Sequence, residues 1–300
     1  MMSSDLLKQL QSGDKKVLAK TITMVENELV GAEEFLASLD MEKLAPVIGV
    51  TGPPGAGKST LISMMIGHYS SLGKKIAVIA VDPTSPFNFG SILGDRLRMA
   101  DHFNDPNVFI RSLATRGSLG GLSAKAIEVC DVIRSAGFDI VIIETVGVGQ
   151  SEVEIAGLAD TTVLVLVPES GDDVQAMKSG IVEVADIFVL NKSDRPGANT
   201  FIRNLQPLLH KKSDSGWTPQ VVKTSALNNE GAADLAKAID EHLHSETTNK
   251  RKAFLYADRA LRLIQQKRSK DLIKEKMVAE IQTQITAGNF QLYRYVKSRE

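Results

Sequence analysis

The sequence predicts a doubly wound α/β domain with a mostly parallel sheet and helical extensions at both ends. Three observations predict it. Seven short runs rich in Val and Ile recur between residues 47 and 224, separated by segments of helical character. Several of these runs are apolar throughout, as strands buried on both faces of a parallel sheet are. The alternation of strand and helix requires crossover connections, which build parallel sheets. The 300 residues are 43% hydrophobic and 24% charged, near the average for globular proteins. That excludes a disordered chain, a collagen-like repeat and a disulfide-stapled mini-protein.

Residues 1–45 are expected to form a helical extension. Val17, Leu18, Ile22, Val25 and Leu29 recur at roughly helical spacing, and Pro46 closes the region. Residues 46–245 hold the α/β domain. Strands are expected at 47–51, 76–81, 108–111, 139–144, 162–167, 187–190 and 220–224, with helices between them at 58–72, 121–136, 173–183 and 231–244. Residues 246–300 return to helix. There Ile273, Met277, Ile281 and Ile285 step by four and make an apolar stripe that needs a partner.

From Lys250 to Glu300, thirteen Lys/Arg face five Asp/Glu, a net +8 that leaves −9 for the remainder of a chain of net charge −1. The tail's basic residues are interspersed with apolar and acidic ones, which reads as a solvated helix face and not as a nucleic-acid patch. Cys130 is the only cysteine, so no intramolecular disulfide and no multi-thiolate metal site can form within one chain. Flanked by Val129 and Val132, it is expected to be a small core side chain. No apolar run reaches the ~18–20 residues that cross a bilayer. The first residues resemble neither a signal nor a transit peptide. A cytoplasmic protein without a membrane partner is expected.

Four motifs carry chemistry. The first is Gly52-Pro53-Pro54-Gly55-Ala56-Gly57-Lys58-Ser59, followed by Thr60. It fits G-x-x-x-x-G-K-[ST], follows an expected strand and opens an expected helix. Glycines let backbone N–H groups turn toward phosphate oxygens, and the helix N-terminus adds its dipole. Lys58 would reach the β- and γ-phosphates, and Ser59 would ligate Mg²⁺.

The second is Asn191-Lys192-Ser193-Asp194, directly after the run 187–190 and 139 residues beyond Gly52. It reads as the N-K-x-D guanine motif. A carboxylate at Asp194 accepts two hydrogen bonds from guanine, which adenine does not offer, so ATP is expected to be rejected. Ser225-Ala226-Leu227 follows the next strand and fits the base-side loop, a weak signal alone.

The third is Glu144-Thr145-Val146-Gly147, at the end of an expected strand. It occupies the place of the D-x-x-G element, whose acid holds Mg²⁺ and whose glycine N–H meets the γ-phosphate. Val148 stands where Ras-like GTPases carry the glutamine that orients water. Gln150 could supply that function, or could pack the loop. Slow intrinsic hydrolysis is expected. The fourth is Asp82-Pro83-Thr84-Ser85 with Gly94-Asp95-Arg96 downstream. Asp82 and Asp95 fall where α/β sheets bind ligands, but helix capping or surface placement explains each equally well. Arg116-Gly117 and Gly120-Gly121 read either as a loop near phosphate or as a helix entry. His68, in the helix after the first motif, is expected to be structural.

Together the stretches GPPGAGKST, AVDPTSPFNFGSILGDRLRM, ETVGVGQSE, GDDVQAMKSGIVEVADIFVLNKSD and SALNNEG resemble the MeaB/ArgK family of P-loop GTPases, whose older name is LAO/AO transport kinases. The resemblance runs through nearly the whole chain and is loose in the tail. It implies a P-loop GTPase of the SIMIBI class, binding GTP and GDP. It also implies a chaperone of an adenosylcobalamin-dependent acyl-CoA mutase, typically methylmalonyl-CoA mutase, that gates cobalamin loading and protects the mutase.

By the same resemblance Ser59, Asp82, Asp95 and Glu144 handle Mg²⁺. Switch I falls near 82–98, switch II near 145–155 and a third switch near 169–184. Lys178 matches a residue tied to partner-dependent activation, and the tail forms a homodimer. Pro53 stands where some class members carry a signature lysine. PESGDD stands where many relatives read PGxGDD, a departure that bears on the stiffness of the third switch. Two other functions fit less well. A nickel or cobalt metallochaperone GTPase would want Cys-x-Cys-Cys or His-rich tracts, and the chain has one Cys and five His. A transport-associated kinase would want a phosphoacceptor or catalytic-loop pattern, and none is seen.

Overall fold

The computed structural model describes residues 2–82, 99–114, 124–145, 151–170, 181–210, 217–269, 272 and 274–299. The chain divides into two compact units, residues 1–256 and 257–300.

The first unit is built on a seven-stranded sheet. The strands are β1 (Val47–Thr51), β2 (Ile76–Asp82), β3 (Val108–Ala114), β4 (Ile140–Thr145), β5 (Thr161–Leu166), β6 (Ile187–Leu190) and β7 (Gln220–Lys223). Their order is β3-β2-β4-β1-β5-β6-β7, and every pairing is parallel. All seven expected strands form, with ends displaced by at most three residues. The largest displacement is β3, which runs on to Ala114 because it pairs in register with β2 as far as Asp82.

The helices are α1 (Met2–Gln11), α2 (Lys15–Glu26), α3 (Ala32–Ala37), α4 (Lys58–Ser71), α5 (Ala124–Arg134), α6 (Ser151–Leu158), α7 (Ile181–Val184), α8 (Ala198–His210), α9 (Ala232–Leu243) and α10 (Glu246–Arg268). The carboxylate of Asp14 accepts from the N–H groups of Lys16 and Val17 and so starts α2.

Strand residues alternate between the two faces. Ile48, Val50, Val78, Ile142, Val163 and Val189 pack against α4 and α9. Val47, Ala77, Ile79, Val141 and Ile143 face the other way, against α2, α5 and α6. Leu164, Leu166, Phe188 and Leu190 meet α8. Burial on both faces is why β1, β4, β5 and β6 read as unbroken apolar runs. Gly49 is needed where α6 crosses β1: a Cβ there would lie 2.9 Å from Ala159 Cβ and Ile155 Cγ1. Cys130 is buried in the α5 core, as expected.

One helical expectation needs correction, and another is only partly covered by the described residues. The N-terminal region holds three helices, and of its stripe Val17, Leu18, Ile22 and Val25 lie on α2 while Leu29 lies beyond it with 52% of its surface exposed. Leu18, Ile22 and Val25 are buried, and α2 packs on α5. Of the expected helix 173–183, only residues 181–183 fall within the described residues, and they are helical. The glycine pairs at 117 and 120–121 fall outside them.

At the end of the sheet where strands begin, Arg134 is buried. Its Nε donates to Ala45 O (2.7 Å), and its guanidinium nitrogens reach Asp160 Oδ2 (3.1 Å) and Asp131 Oδ1 (3.3 Å). Asp160 Oδ2 also accepts from Val47 N–H at 2.8 Å. Burial, the largest single influence, opposes the guanidinium charge, and Asp160 outweighs it only together with Asp131 and the other neighbouring groups, so the pKa of Arg134 is raised. The network fixes the entry to β1, from which the phosphate-binding loop is hung.

The second unit contains α11 (Lys274–Thr286) and α12 (Leu292–Lys297). Tyr295 packs back on α11: its hydroxyl donates to Glu280 at 2.7 Å, and Arg299 also pairs with Glu280. In the expected stripe, Met277 and Ile281 are half-buried and Ile285 is 52% exposed. Ile273 lies outside the described residues.

Arg134→Ala is expected to lower unfolding stability by about 3 kcal/mol, because it leaves a buried carboxylate without its charge partner. Urea denaturation checks this. A loss under ~1 kcal/mol would contradict the role given to the network.

Candidate functional site

The carboxyl ends of β1, β4, β6 and β7 gather the motifs on one edge of the sheet, the edge at which open α/β sheets bind ligands. Between β1 and α4 runs the loop Gly52–Gly57. Its turn requires glycine at two crowded positions. Gly52 has φ +142°, and a Cβ there would come within 2.2 Å of Val165 O. Gly57 has φ +88°, and a Cβ there would come within 2.5 Å of Asn191 Nδ2. Pro54 and Gly55 are exposed, and Pro53 is half-buried. Ala56 is buried and closes a turn onto Pro53 O at 3.2 Å.

Gly57 starts α4 without a side-chain cap. A helix N-terminus begun in this way presents its first N–H groups to an anion. Lys58 is buried and folds over the loop, its Nζ donating to Gly52 O (2.8 Å) and Pro53 O (3.2 Å). Thr60 is half-buried on the next position of α4.

Ser59 and Glu144, 85 residues apart, meet at the centre of this edge. Ser59 Oγ donates to Glu144 Oε1 at 2.7 Å, and the two residues are only 4% and 6% exposed. Behind them Thr145 Oγ1 donates to Thr51 Oγ1 at 3.2 Å. A hydroxyl and a carboxylate side by side are hard oxygen donors of the kind Mg²⁺ takes alongside substrate phosphates and water, so these two residues fit that ion. Asp82 ends β2, the strand beside β4, two residues beyond Ala80, the register partner of Glu144. Its backbone therefore lies on the same edge. Asp95, Gly147, Val148, Gln150 and Lys178 lie outside the described residues.

The base-side loops are tied together by Asn191. Its Nδ2 donates to Ala56 O (2.9 Å), while its Oδ1 accepts from Thr224 Oγ1 (3.1 Å) and from Ala226 N–H (3.2 Å). It is 2% exposed. Lys192 follows at φ +54°, and its Nζ donates to Gly55 O at 2.9 Å. One asparagine and one lysine thus pin the phosphate loop to the loop after β6. Asp194 is exposed at the rim. Its Oδ1 accepts from Ser225 Oγ at 2.6 Å, and that bond holds its pKa below the usual carboxylate value. Ser225 is buried, while Leu227 is 82% exposed.

The structure adds contacts for Thr224, Asn228 and Arg195, to which the motifs gave no role, and a partner for Glu169 of the PESGDD stretch. Thr224 orients Asn191. Asn228 Nδ2 donates to Ser225 Oγ at 2.9 Å. Arg195 pairs with Glu169 at 2.6 Å, joining the loop after β6 to the turn 168–170 that follows β5. That pairing lowers the pKa of Glu169 and raises that of Arg195. An asparagine three residues after a loop serine is a recognisable local bonding pattern. Nothing local announces the Glu169–Arg195 pair. His68 is half-buried on α4, and its carbonyl accepts from Ser71 Oγ.

Fold and edge together define a P-loop nucleotide-binding protein with a base-side N-K-x-D loop. Comparison with known proteins makes this specific. Residues 18–282 match the family described as methylmalonyl Co-A mutase-associated GTPase MeaB, and the chain belongs to that family. A Pyrococcus abyssi relative is 47% identical over 246 residues, covering 80% of this chain and 76% of its own. The mouse protein named methylmalonic aciduria type A homolog, mitochondrial, is 37% identical over 257 residues, covering 78% of this chain and 61% of its own. A crystal structure titled LAO/AO transport system kinase superposes with a TM-score of 0.70 at 25% identity, covering 99% of this chain and 96% of that one.

Three outcomes are expected. Asp194→Asn is expected to weaken GDP binding at least ~100-fold, because one acceptor becomes a donor facing donors, while ADP binding stays equally poor. The folded carboxylate titrates below its ordinary value of 3.8. It stays ionised above that pH and loses its charge only as the pH falls through the lowered value. The ratio of GDP to ADP affinity measured by calorimetry, in which phosphate titration common to both nucleotides cancels, is therefore expected to be flat from about pH 8 to about pH 5, and a fall of that ratio centred near pH 6 would exclude Asp194 as the base reader. Glu144→Ala is expected to impair Mg²⁺-dependent turnover while keeping most nucleotide affinity. Normal hydrolysis by that variant would remove Glu144 from the metal set.

Proposed function

We propose that this GTPase binds GTP and GDP with Mg²⁺ and acts as the chaperone of an adenosylcobalamin-dependent acyl-CoA mutase of the methylmalonyl-CoA type. In that role it gates cobalamin loading and protects the mutase. The observation that carries the nucleotide half is Asn191, which joins the phosphate loop to both base-side loops. The mutase half is supported by the family description and by the name of the mouse relative.

The chain's residues divide the work as follows. The N–H groups of the loop 52–57 and of the start of α4 cradle the phosphates. Phosphate oxygens take the place of the Gly52 and Pro53 carbonyls on Lys58, whose charge then offsets that of the γ-phosphate. Ser59 and Glu144, with Asp82 and Asp95, would hold Mg²⁺, which when bound neutralises charge on the β- and γ-oxygens. Gly147 would meet the γ-phosphate through its N–H. Asp194 reads guanine, Lys192 covers the loop, and Ser225, Ala226 and Leu227 border the base.

Val148 has no group to orient water, so turnover of the isolated protein is slow. Gln150, or a group lent by the partner, completes the site. Lys178 belongs to the switch through which the mutase acts, and the helices of residues 246–300 form the homodimer. No described helix is long and apolar enough to cross a membrane. The protein is proposed to work in the cytoplasm.

Single-turnover GTP hydrolysis with and without a cognate mutase tests the reading. Addition of the mutase is expected to raise the rate at least ~10-fold, below the ~10³–10⁵-fold that a supplied side chain gives in other GTPases. Lys178→Ala is expected to blunt that rise and keep basal turnover. No response of the wild type to any adenosylcobalamin-dependent acyl-CoA mutase would remove the chaperone role. Equal stimulation of wild type and variant would remove only the role of Lys178.

A further inference from the structure

We infer that Asn228 is a positioning residue for guanine selection: its side-chain amide fixes the Ser225 hydroxyl so that the hydroxyl proton is committed to Asp194. The inference rests on the guanine-binding reading of Asp194 and gives a role to a residue just beyond the Ser225-Ala226-Leu227 signal.

The argument is one of donors and acceptors. Ser225 Oγ lies 2.6 Å from Asp194 Oδ1 and 2.9 Å from the Asn228 amide. A hydroxyl has one proton and two lone pairs, and an ionised carboxylate only accepts. The proton of Ser225 therefore goes to Asp194. The group that Asn228 turns toward Ser225 must then be the NH₂ and not the oxygen. With a donor on one side and an acceptor on the other, a rotor that would otherwise spin has a single orientation. Asp194 is exposed at the rim, so hydrogen bonds set its direction more than burial does. Its aim depends on this relay.

The backbone brings the pair together. Ser225 precedes the 3₁₀ turn 226–228, and Asn228 N–H donates to Ser225 O at 2.9 Å. In a 3₁₀ turn residues three apart eclipse, which sets the Asn228 side chain over Ser225. The loop has its own brace. Ser225 and Glu230 exchange two backbone hydrogen bonds of 3.1 Å. Removing the Asn228 amide thus takes away the relay and keeps the backbone bonds that shape the loop.

The test measures the affinity of the full chain for GDP, IDP and ADP by calorimetry, for wild type, Asn228→Ala, Asn228→Asp, Ser225→Ala and the double variant Ser225→Ala/Asn228→Ala. IDP keeps the N1–H of guanine and lacks its 2-amino group, so the GDP/IDP ratio reports the aim of the carboxylate. Asn228→Ala is expected to weaken GDP about 5-fold, narrow the GDP/IDP preference and leave ADP unchanged. Asn228→Asp keeps the shape and puts an acceptor where the donor was, so it is expected to weaken GDP further. It carries the test if Asn228→Ala melts at a lower temperature than wild type. In the Ser225→Ala background, Asn228→Ala is expected to change nothing more, because the relay is already cut.

Wild-type GDP affinity in both Asn228 variants would overturn the inference. So would an Asn228→Ala penalty that persists undiminished in the Ser225→Ala background, which would mean that Asn228 acts through the loop's fold. If wild type itself binds GDP and ADP alike, the guanine reading fails and this inference falls with it. GDP-selective wild type with indifferent variants overturns the inference alone.

Discussion

Asn191 is the constraint on which the nucleotide edge depends. Three loops that start from different strands meet at one side-chain amide. Its Nδ2 takes the carbonyl of Ala56, and its Oδ1 takes one donor from Thr224 and one from Ala226. The residue is buried, so each of these partners, if released, would be a polar group without water, at a cost of about 1–3 kcal/mol. The bond also has a steric consequence. Asn191 can reach Ala56 only because Gly57 has no side chain, since a Cβ there would sit 2.5 Å from Nδ2. The last glycine of the phosphate loop is thus required twice, once by its φ of +88° and once by the guanine motif 134 residues later.

The opposite edge of the sheet is locked by different chemistry. Arg134 and Asp160 secure the entry to β1. Asp186 accepts from Thr162 N–H at 2.8 Å at the entries to β5 and β6, and its carbonyl takes the Trp217 indole N–H at 2.9 Å. Thr161 Oγ1 lies 2.8 Å from His242 Nδ1. These buried polar groups bond the starts of the strands to α5, α9 and the segment before β7. The ends of the strands are therefore presented in fixed register, and the phosphate and base loops inherit their spacing from the sheet. A loop that must part from Lys58 and take up a phosphate can do so without disturbing the frame.

Much of this was legible in the sequence because it is local or periodic. The central strands announced themselves as apolar runs, since burial on both faces of a parallel sheet leaves little polar alternation to confuse. Strand order was not legible. That β4 lies between β1 and β2 follows from long-range pairing, and only with that order does Glu144 arrive beside Ser59. The phosphate loop and N-K-x-D were found because their chemistry demands fixed spacing. Leu29 was misjudged because helical spacing continued in the sequence after the helix had ended at Glu26. Thr224, Asn228 and the Glu169–Arg195 pair went unseen because each acts through a partner that only the folded loops bring near.

The Glu169–Arg195 pair shows how magnitude separates anchoring from adjustment. Both side chains are about half exposed, at 52% and 46%. Exposed pairs contribute little to stability, because water and salt compete for both charges. The pair therefore cannot be what holds the guanine loop in place, and buried Asn191 is. What an exposed pair can do is bias geometry. Glu169 lies at the start of the segment after β5, and Arg195 directly follows Asp194 of the N-K-x-D motif. The pair puts an acid within 2.6 Å of a cation on the loop after β6. The stable frame is thus set by buried amides and strand register. The contact between the guanine loop and the turn after β5 is left to a bond weak enough to open and close at little cost.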